Sequence, residues 1–228
     1  MARTIKLWDL PTRVFHWCLV LCVAGAFATG WIGGTAMAWH GRFGIAVCGL
    51  LAFRLVWGFA GSTYARFPQF VRGPATILAY LKGRWHGVGH NPLGALSVLG
   101  MLAVLAFQAG TGLAANDDIA FNGPLYDLVS KETSDRLAGL HRLDSWLVLL
   151  LVALHLSAIM FYAHVRKDNL VRPMLTGRRE AEEGIPDAQG GGAAALLIAA
   201  AVGILAAAAA AGAFLPPPPP PSTEQPAF

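Results

Sequence analysis

Two histidines bracket an otherwise apolar run in the stretch HRLDSWLVLLLVALH, residues 141–155. Ionisable side chains are costly in apolar surroundings, so their presence in such a run points to a functional site. On an α-helix, fourteen residues bring the chain to within about 40° of its starting direction and advance it by about 21 Å. His141 and His155 therefore lie on one stripe of the helix at two different depths.

The elements that must position these histidines are long enough to cross a membrane. The chain has 228 residues, of which 55% are hydrophobic and 13% charged, whereas a soluble domain carries about a quarter charged residues. Five apolar stretches reach the length that a hydrocarbon core of about 30 Å requires. They are residues 14–34, 43–61, 92–114, 143–165 and 193–215. We predict an all-α integral membrane protein: a four-helix transmembrane bundle plus a fifth, alanine-rich transmembrane helix.

The basic residues flank the predicted spans instead of forming one patch, which favours membrane lipid as a partner and excludes nucleic acid. They precede the first span, lie between the second and third, and follow the fourth, whereas the loop at 116–140 is mainly acidic. The positive-inside rule then predicts a multi-pass protein of the bacterial inner membrane with a cytoplasmic N-terminus. The first apolar run is longer than the core of a signal peptide, so we expect no cleavage there.

This topology pairs four histidines at two levels of the membrane. His40 and His141 fall at the outer level, and His16 and His155 fall at the inner level. Two imidazoles that face each other across a helix bundle supply both axial ligands of a six-coordinate haem iron. We therefore predict that the four-helix bundle binds two haem b groups, with irons about 20 Å apart. Zinc is a weaker alternative, because two histidines per level leave its tetrahedral shell incomplete.

Three arginines, Arg13, Arg42 and Arg142, stand within three residues of these histidines. A guanidinium group there could bind an anionic haem propionate. Ordinary snorkelling of an arginine to the membrane surface explains each of them equally well.

The other candidate ligands are interpreted as structural. His86 and His90 fall in a cytoplasmic connection and His164 falls at a helix end, so we predict no cofactor role for them. The three cysteines lie inside predicted spans without a CxxC motif, which favours apolar packing over a disulfide or a metal site.

We divide the chain into four segments. Residues 1–178 are the di-haem cytochrome b membrane domain, 179–192 a linker, 193–215 the additional helix and 216–228 a proline-rich disordered tail. A short helix is expected near residues 75–81 of the connection between the second and third spans. The small residues of the fifth helix favour close docking on the bundle or on a partner subunit, although a simple anchor is an equally good interpretation.

Several motifs resemble, in their order along the chain, the bacterial cytochrome b561 family and the related cytochrome b subunits of nickel–iron hydrogenases. They are WDLPTRVFHW (8–17), HGRFG (40–44), RLVWGFAGSTYARFPQF (54–70), GHNPLGA (89–95), DDIAFNGPLYDLVS (117–130) and LHRLDSWLVLLLVALH (140–155). The resemblance covers nearly all of residues 6–178. It implies a four-helix bundle with two b-type haems that passes electrons between quinone and a redox partner protein. It also implies that His16, His40, His141 and His155 are the axial ligands.

Three functions follow as hypotheses. The first is electron transfer between a quinone pool and a redox partner, either a c-type cytochrome or another redox subunit, with the acidic residues Asp117 and Asp118 as a docking candidate. The second is an enzyme that oxidises superoxide at the outer haem and reduces quinone, with Arg42 and Arg142 attracting the anion. The third is a haem-free membrane scaffold subunit.

Overall fold

The computed structural model describes residues 2–85 and 87–216. His86 and most of the predicted proline-rich tail lie outside these residues. The described helices are α1 (Leu10–Ile32), α2 (Met37–Ala60), α3 (Phe67–Phe70), α4 (Pro74–Leu81), α5 (Pro92–Leu113), α6 (Lys131–His164), α7 (Val171–Thr176) and α8 (Ala193–Ala210). Five of them, α1, α2, α5, α6 and α8, are long and apolar enough to cross a membrane. The predicted helical membrane architecture is confirmed, and the expected short helix is α4.

Local sequence signals fix where three of the long helices begin. The side chains of Asp9, Asn91 and Ser130 each accept a hydrogen bond from the backbone N–H three residues later. Such caps satisfy N–H groups that have no partner within the helix, and they stabilise a helix by about 1 kcal/mol. The caps at Asp9 and Asn91 are each followed closely by a proline, which is pre-organised for the first helical turn.

Helix α6 begins about three turns before the predicted span. The apolar stretch starts near residue 143, but the helix starts at Lys131. Its first turns are polar and carry two ion pairs at helical spacing, Lys131 with Asp135 and Arg136 with Glu132. Such pairs support a helix in water. Hydropathy detects only the part of a helix that lies in lipid, so it missed this extension.

Part of the segment predicted as a linker contacts the N-terminus. Strand β1 (Ala2–Lys6) pairs antiparallel with strand β2 (Arg178–Glu182), a sheet that the sequence analysis did not predict. Beyond β2, the carboxylate of Asp187 accepts hydrogen bonds from the backbone N–H of Lys6 and from Arg3. These two interactions, the first being the larger, hold the pKa of Asp187 below its usual range. The N-terminal strand and the segment that precedes α8 therefore meet on one side of the bundle.

An apolar layer joins helices α2, α5 and α6 near the middle of the bundle. Its buried residues are Val47, Leu51, Leu105, Ala109 and Val148, and side chains of α1 pack against them. Val47 and Leu51 follow His40 on α2, and Val148 lies between His141 and His155 on α6. The layer therefore separates the two levels at which histidines were predicted.

Helix α8 docks against α2 through two glycines. A Cβ atom on Gly49 would lie 2.8 Å from the carbonyl oxygen of Gly203, and one on Gly203 would lie 2.9 Å from the carbonyl oxygen of Gly49. Only glycine permits so close an approach of two backbones, as in other membrane helix pairs. The sequence left three interpretations of this helix: docking on the bundle, docking on a partner subunit, or a simple anchor. The structure shows docking on the bundle of the same chain.

Replacing Gly203 with leucine is expected to separate α8 from α2. The new side chain would meet backbone, which cannot turn aside, and overpacking of this kind costs about 1–3 kcal/mol. We expect a lower thermal unfolding temperature in detergent for Gly203→Leu than for Ala201→Leu, a matched change at an exposed position of the same helix. Equal unfolding temperatures for the two variants would contradict the docking.

Candidate functional site

The structure brings the four predicted histidines together as two pairs. The ring centroids of His16 on α1 and His155 on α6 are 6.5 Å apart. Those of His40 on α2 and His141 on α6 are 5.8 Å apart. A metal ion bonded to two opposed imidazole nitrogens at about 2 Å each holds the ring centroids roughly 6 Å apart. Both pairs thus have a separation that suits one shared iron.

Backbone carbonyls orient both imidazoles of the outer pair. The Nδ1 atom of His40 lies 2.8 Å from the carbonyl oxygen of Ala26, and the Nδ1 atom of His141 lies 2.9 Å from that of Gln108. A carbonyl can only accept, so each Nδ1 carries the proton and each Nε2 keeps its lone pair for a metal. The Gln108 side-chain amide lies 3.1 Å from Nε2 of His141, and this flexible group must turn away when a metal binds.

Both outer imidazoles also pack against glycines of neighbouring helices. A Cβ on Gly30 would lie 3.0 Å from Nδ1 of His40, and a Cβ on Gly112 would lie 2.8 Å from Cε1 of His141. By contrast, a Cβ on Gly44, one turn along α2 from His40, would meet no atom within 4 Å. Each ring therefore has a glycine of a neighbouring helix close against it. Open space remains next to Gly44 on α2.

The inner pair has an unsatisfied nitrogen. The Nδ1 atom of His16 is buried and has no hydrogen-bond partner, and its ring makes an edge contact with Trp17 at 5.0 Å between centroids. A buried polar atom without a partner costs about 1–3 kcal/mol. The residues present fit a haem at both levels: opposed imidazoles, close packing behind the outer rings, and a nitrogen at the inner level that lacks a partner.

The alternative of a zinc site finds too few ligands. Within the described residues, no group of three or more histidine, cysteine, aspartate or glutamate side chains is placed to hold a metal ion. A tetrahedral zinc needs at least three protein ligands. Haem needs only two, because the porphyrin supplies the other four nitrogens.

Two residues that sequence reasoning missed lie near the inner pair. Arg54 is only 3% exposed, although it belongs to a predicted membrane span. His90, expected to be structural within a cytoplasmic connection, packs between the rings of Trp8 and Phe70 at 4.8 and 4.7 Å between centroids. Burial lowers the pKa of His90 to about 3, and the nearby Arg54, His155 and His16 act in the same direction.

A spacing signal could have found Arg54. It follows His40 on α2 by fourteen residues, which is the interval between His141 and His155 on α6. The position of His90 has no such signal, because it depends on how the connection after α4 folds back on the bundle.

Asp144 is a further buried polar residue that the sequence analysis passed over. It is 8% exposed and lies on the His141 side of α6, three residues further along the helix. Its Oδ2 atom is buried without a hydrogen-bond partner. An ionisable side chain in this position is unusual in a membrane helix.

The three arginines predicted near the histidines have different surroundings. The guanidinium group of Arg13 donates to the carbonyl oxygen of Leu175 at 2.5 Å. Arg42 stacks on Trp39, with its Cζ atom 4.6 Å from the ring centroid, and Arg142 is exposed. These contacts do not test a role in binding propionates, which stays a prediction.

The acidic residues proposed for docking a partner are engaged within their own loop. The Oδ1 atom of Asp117 accepts hydrogen bonds from the backbone N–H groups of Phe121, Ile119 and Ala120. These hydrogen bonds lower the pKa of Asp117, and the one from Phe121 has the largest effect. Asp118 pairs with Lys131 at 2.5 Å. Both carboxylates thus order the loop, and their docking role stays a prediction.

Comparison with known proteins agrees with this arrangement. Residues 7–177 match the family model described as prokaryotic cytochrome b561. Relatives include the probable Ni/Fe-hydrogenase 1 B-type cytochrome subunit of Escherichia coli K12, 23% identical over 78% of this chain and 92% of the relative. The probable Ni/Fe-hydrogenase B-type cytochrome subunits of Azotobacter vinelandii and Rhodobacter capsulatus are 25% and 22% identical, over 80% and 77% of this chain and 91% and 81% of their own lengths.

No solved structure matches the chain significantly. The family match nevertheless spans well over half of the 228 residues, including all four paired histidines. The chain therefore belongs to the prokaryotic cytochrome b561 family, whose members are membrane cytochromes of the b type, which implies haem b and electron transfer.

Proposed function

We propose that this chain carries electrons across the bacterial inner membrane through two haem b groups. His16 and His155 bind one haem near the cytoplasmic side, and His40 and His141 bind the other near the outer side. Haem iron with both axial positions filled gains and loses one electron without binding a substrate. The observation that carries the proposal is the stacking of two histidine pairs, each with a ring separation that suits one iron.

The chain's own residues set the distance and the environment of the two centres. Helix α6 supplies one ligand to each pair, so its rise separates the two levels by about 21 Å. The apolar layer around Val47, Leu105 and Val148 excludes water between them. The carbonyl groups of Ala26 and Gln108 hold the outer imidazoles in the tautomer that leaves Nε2 for iron.

We further propose that the electrons pass between a quinone pool and a redox partner protein. The relatives are named as cytochrome subunits of Ni/Fe hydrogenases, which supports a redox subunit as the partner; a c-type cytochrome is the alternative. The basic connection between α2 and α5 supports a cytoplasmic N-terminus, by the positive-inside rule. In this orientation the outer pair faces the periplasm.

Optical spectroscopy on the purified full-length protein tests the proposal. We expect two haems per chain, a low-spin b-type spectrum on reduction, and two one-electron steps in a redox titration. Protein that folds in detergent without haem, or that binds haem in a high-spin form, would contradict it.

A further inference from the structure

We propose that Arg54 and His90 form an anion-binding pocket beside the inner histidine pair, and that this pocket binds a propionate carboxylate of the haem held there. The inference rests on the proposed function, which supplies the haem. It assigns a binding role to two residues that lie outside the histidine pairs.

Helix geometry places Arg54 at the inner level. It stands fourteen residues after His40 on α2, so it lies about 40° around the helix and about 21 Å deeper. His155 is related to His141 on α6 by the same interval. Arg54 therefore lies as far below His40 on α2 as His155 lies below His141 on α6.

The guanidinium group of Arg54 has a donor to spare. Its Nη2 atom donates to the carbonyl oxygen of Ala65 at 3.0 Å, and its Cζ atom lies 4.5 Å from the centre of the Phe67 ring. Its Nη1 atom is buried without a hydrogen-bond partner. A buried guanidinium with an unused N–H group is costly, and an acceptor oxygen removes that cost.

The carboxylate of Asp9 does not fill this place. One of its oxygens accepts the backbone N–H of Thr12, and the other accepts hydrogen bonds from Ser62 and from Trp57 at 3.2 Å. Asp9 attracts Arg54 electrostatically, but its hydrogen bonds are used at the start of α1. A second anion is therefore accommodated at Nη1.

His90 supplies the second wall of the pocket. Its ring lies between Trp8 and Phe70, and its Nδ1 atom is buried without a partner. The ring of Phe70 also lies 5.7 Å from that of Phe67, on which the Arg54 guanidinium stacks, so His90 and Arg54 belong to one cluster of side chains. His16 and His155 are near enough to act on His90 electrostatically. Two buried nitrogens without partners, one of them on a cation, thus lie next to the imidazoles that bind the inner haem. A propionate is the anion that the haem itself brings to this place.

Infrared spectroscopy and redox titration of Arg54→Gln test the pocket. The protein is loaded with haem that carries ¹³C in its propionate carboxylates. We expect the carboxylate stretching band of one haem to shift. We also expect the midpoint potential of the inner haem to fall, because a positive charge that stabilises the reduced form is removed. A tenfold change in its redox equilibrium is expected, which equals about 59 mV for one electron.

Two further variants keep the test decisive. Arg54→Lys retains the charge without the planar fork, so we expect a shifted carboxylate band and a potential near that of the wild type. Arg72→Gln removes an exposed arginine from the connection between α2 and α5 and should change neither quantity. The inner centre is identified as the one that His155→Ala removes.

The possible results separate this inference from the proposed function. If both haems bind and neither Arg54 variant changes the inner centre, the pocket is refuted and the electron-transfer proposal stands. A change confined to the outer haem, or an equal change in Arg72→Gln, also refutes the pocket. If the wild-type protein binds no haem, the proposed function itself fails.

Discussion

Replacing His155 with alanine is expected to remove the inner haem and to leave the outer one, so that the haem content falls from two per chain to one. His155 faces His16 at 6.5 Å between ring centroids, and alanine offers no ligand to the iron. The outer pair is about 21 Å away along α6, and its hydrogen bonds to Ala26 and Gln108 are independent of residue 155. Pyridine haemochrome quantitation with a redox titration measures the change.

Two controls make the His155 result specific. His164→Ala removes an exposed histidine from the end of the same helix and should leave two haems. Haem added together with imidazole should restore the second low-spin centre of His155→Ala, because imidazole can enter the space that the side chain leaves and ligate the iron. Retention of both haems in His155→Ala would show that this residue is not an axial ligand, and loss of both would show that the two centres do not form independently.

The long-range pairing of the histidines could be predicted because it depends on helix spacing and topology alone. Fourteen residues on α6 fix the two levels, and alternating membrane crossings place His16 and His40 opposite the right partners. The same arithmetic applied to α2 leads from His40 to Arg54. However, an arginine near the end of an apolar run also fits the positive-inside rule, so the spacing alone does not assign Arg54 to a site.

Features that depend on contacts between distant segments could not be predicted in this way. Strands β1 and β2 are separated by most of the chain, and neither alternates strongly enough to be detected alone. The burial of His90 depends on Trp8 and Phe70, which belong to two other segments. The apolar run of α8 indicates a membrane helix, whereas the backbone contact between Gly49 and Gly203 identifies the neighbour it packs against.

Replacing Gly112 with alanine is expected to impair binding of the outer haem. The new methyl group would lie 2.8 Å from Cε1 and 3.0 Å from Nδ1 of His141, so the ring must move away from α5. His40 is held in its place by the hydrogen bond between its Nδ1 atom and the carbonyl oxygen of Ala26, at 2.8 Å. The His141 imidazole is thereby displaced from the position in which its ring centroid lies 5.8 Å from that of His40, the separation that suits one iron.

The size of the Gly112 effect follows from the cost of overpacking. A cost of about 1–3 kcal/mol corresponds to roughly 5- to 160-fold weaker binding of the outer haem. Alanine favours a helix over glycine by about 1 kcal/mol, so weakening of α5 cannot explain such a loss. Gly110→Ala brings the same helix preference at a position where a Cβ meets no atom within 4 Å, and it should retain both haems. Equal haem content in Gly112→Ala and Gly110→Ala would mean that the His141 imidazole is not held against α5 when haem is bound.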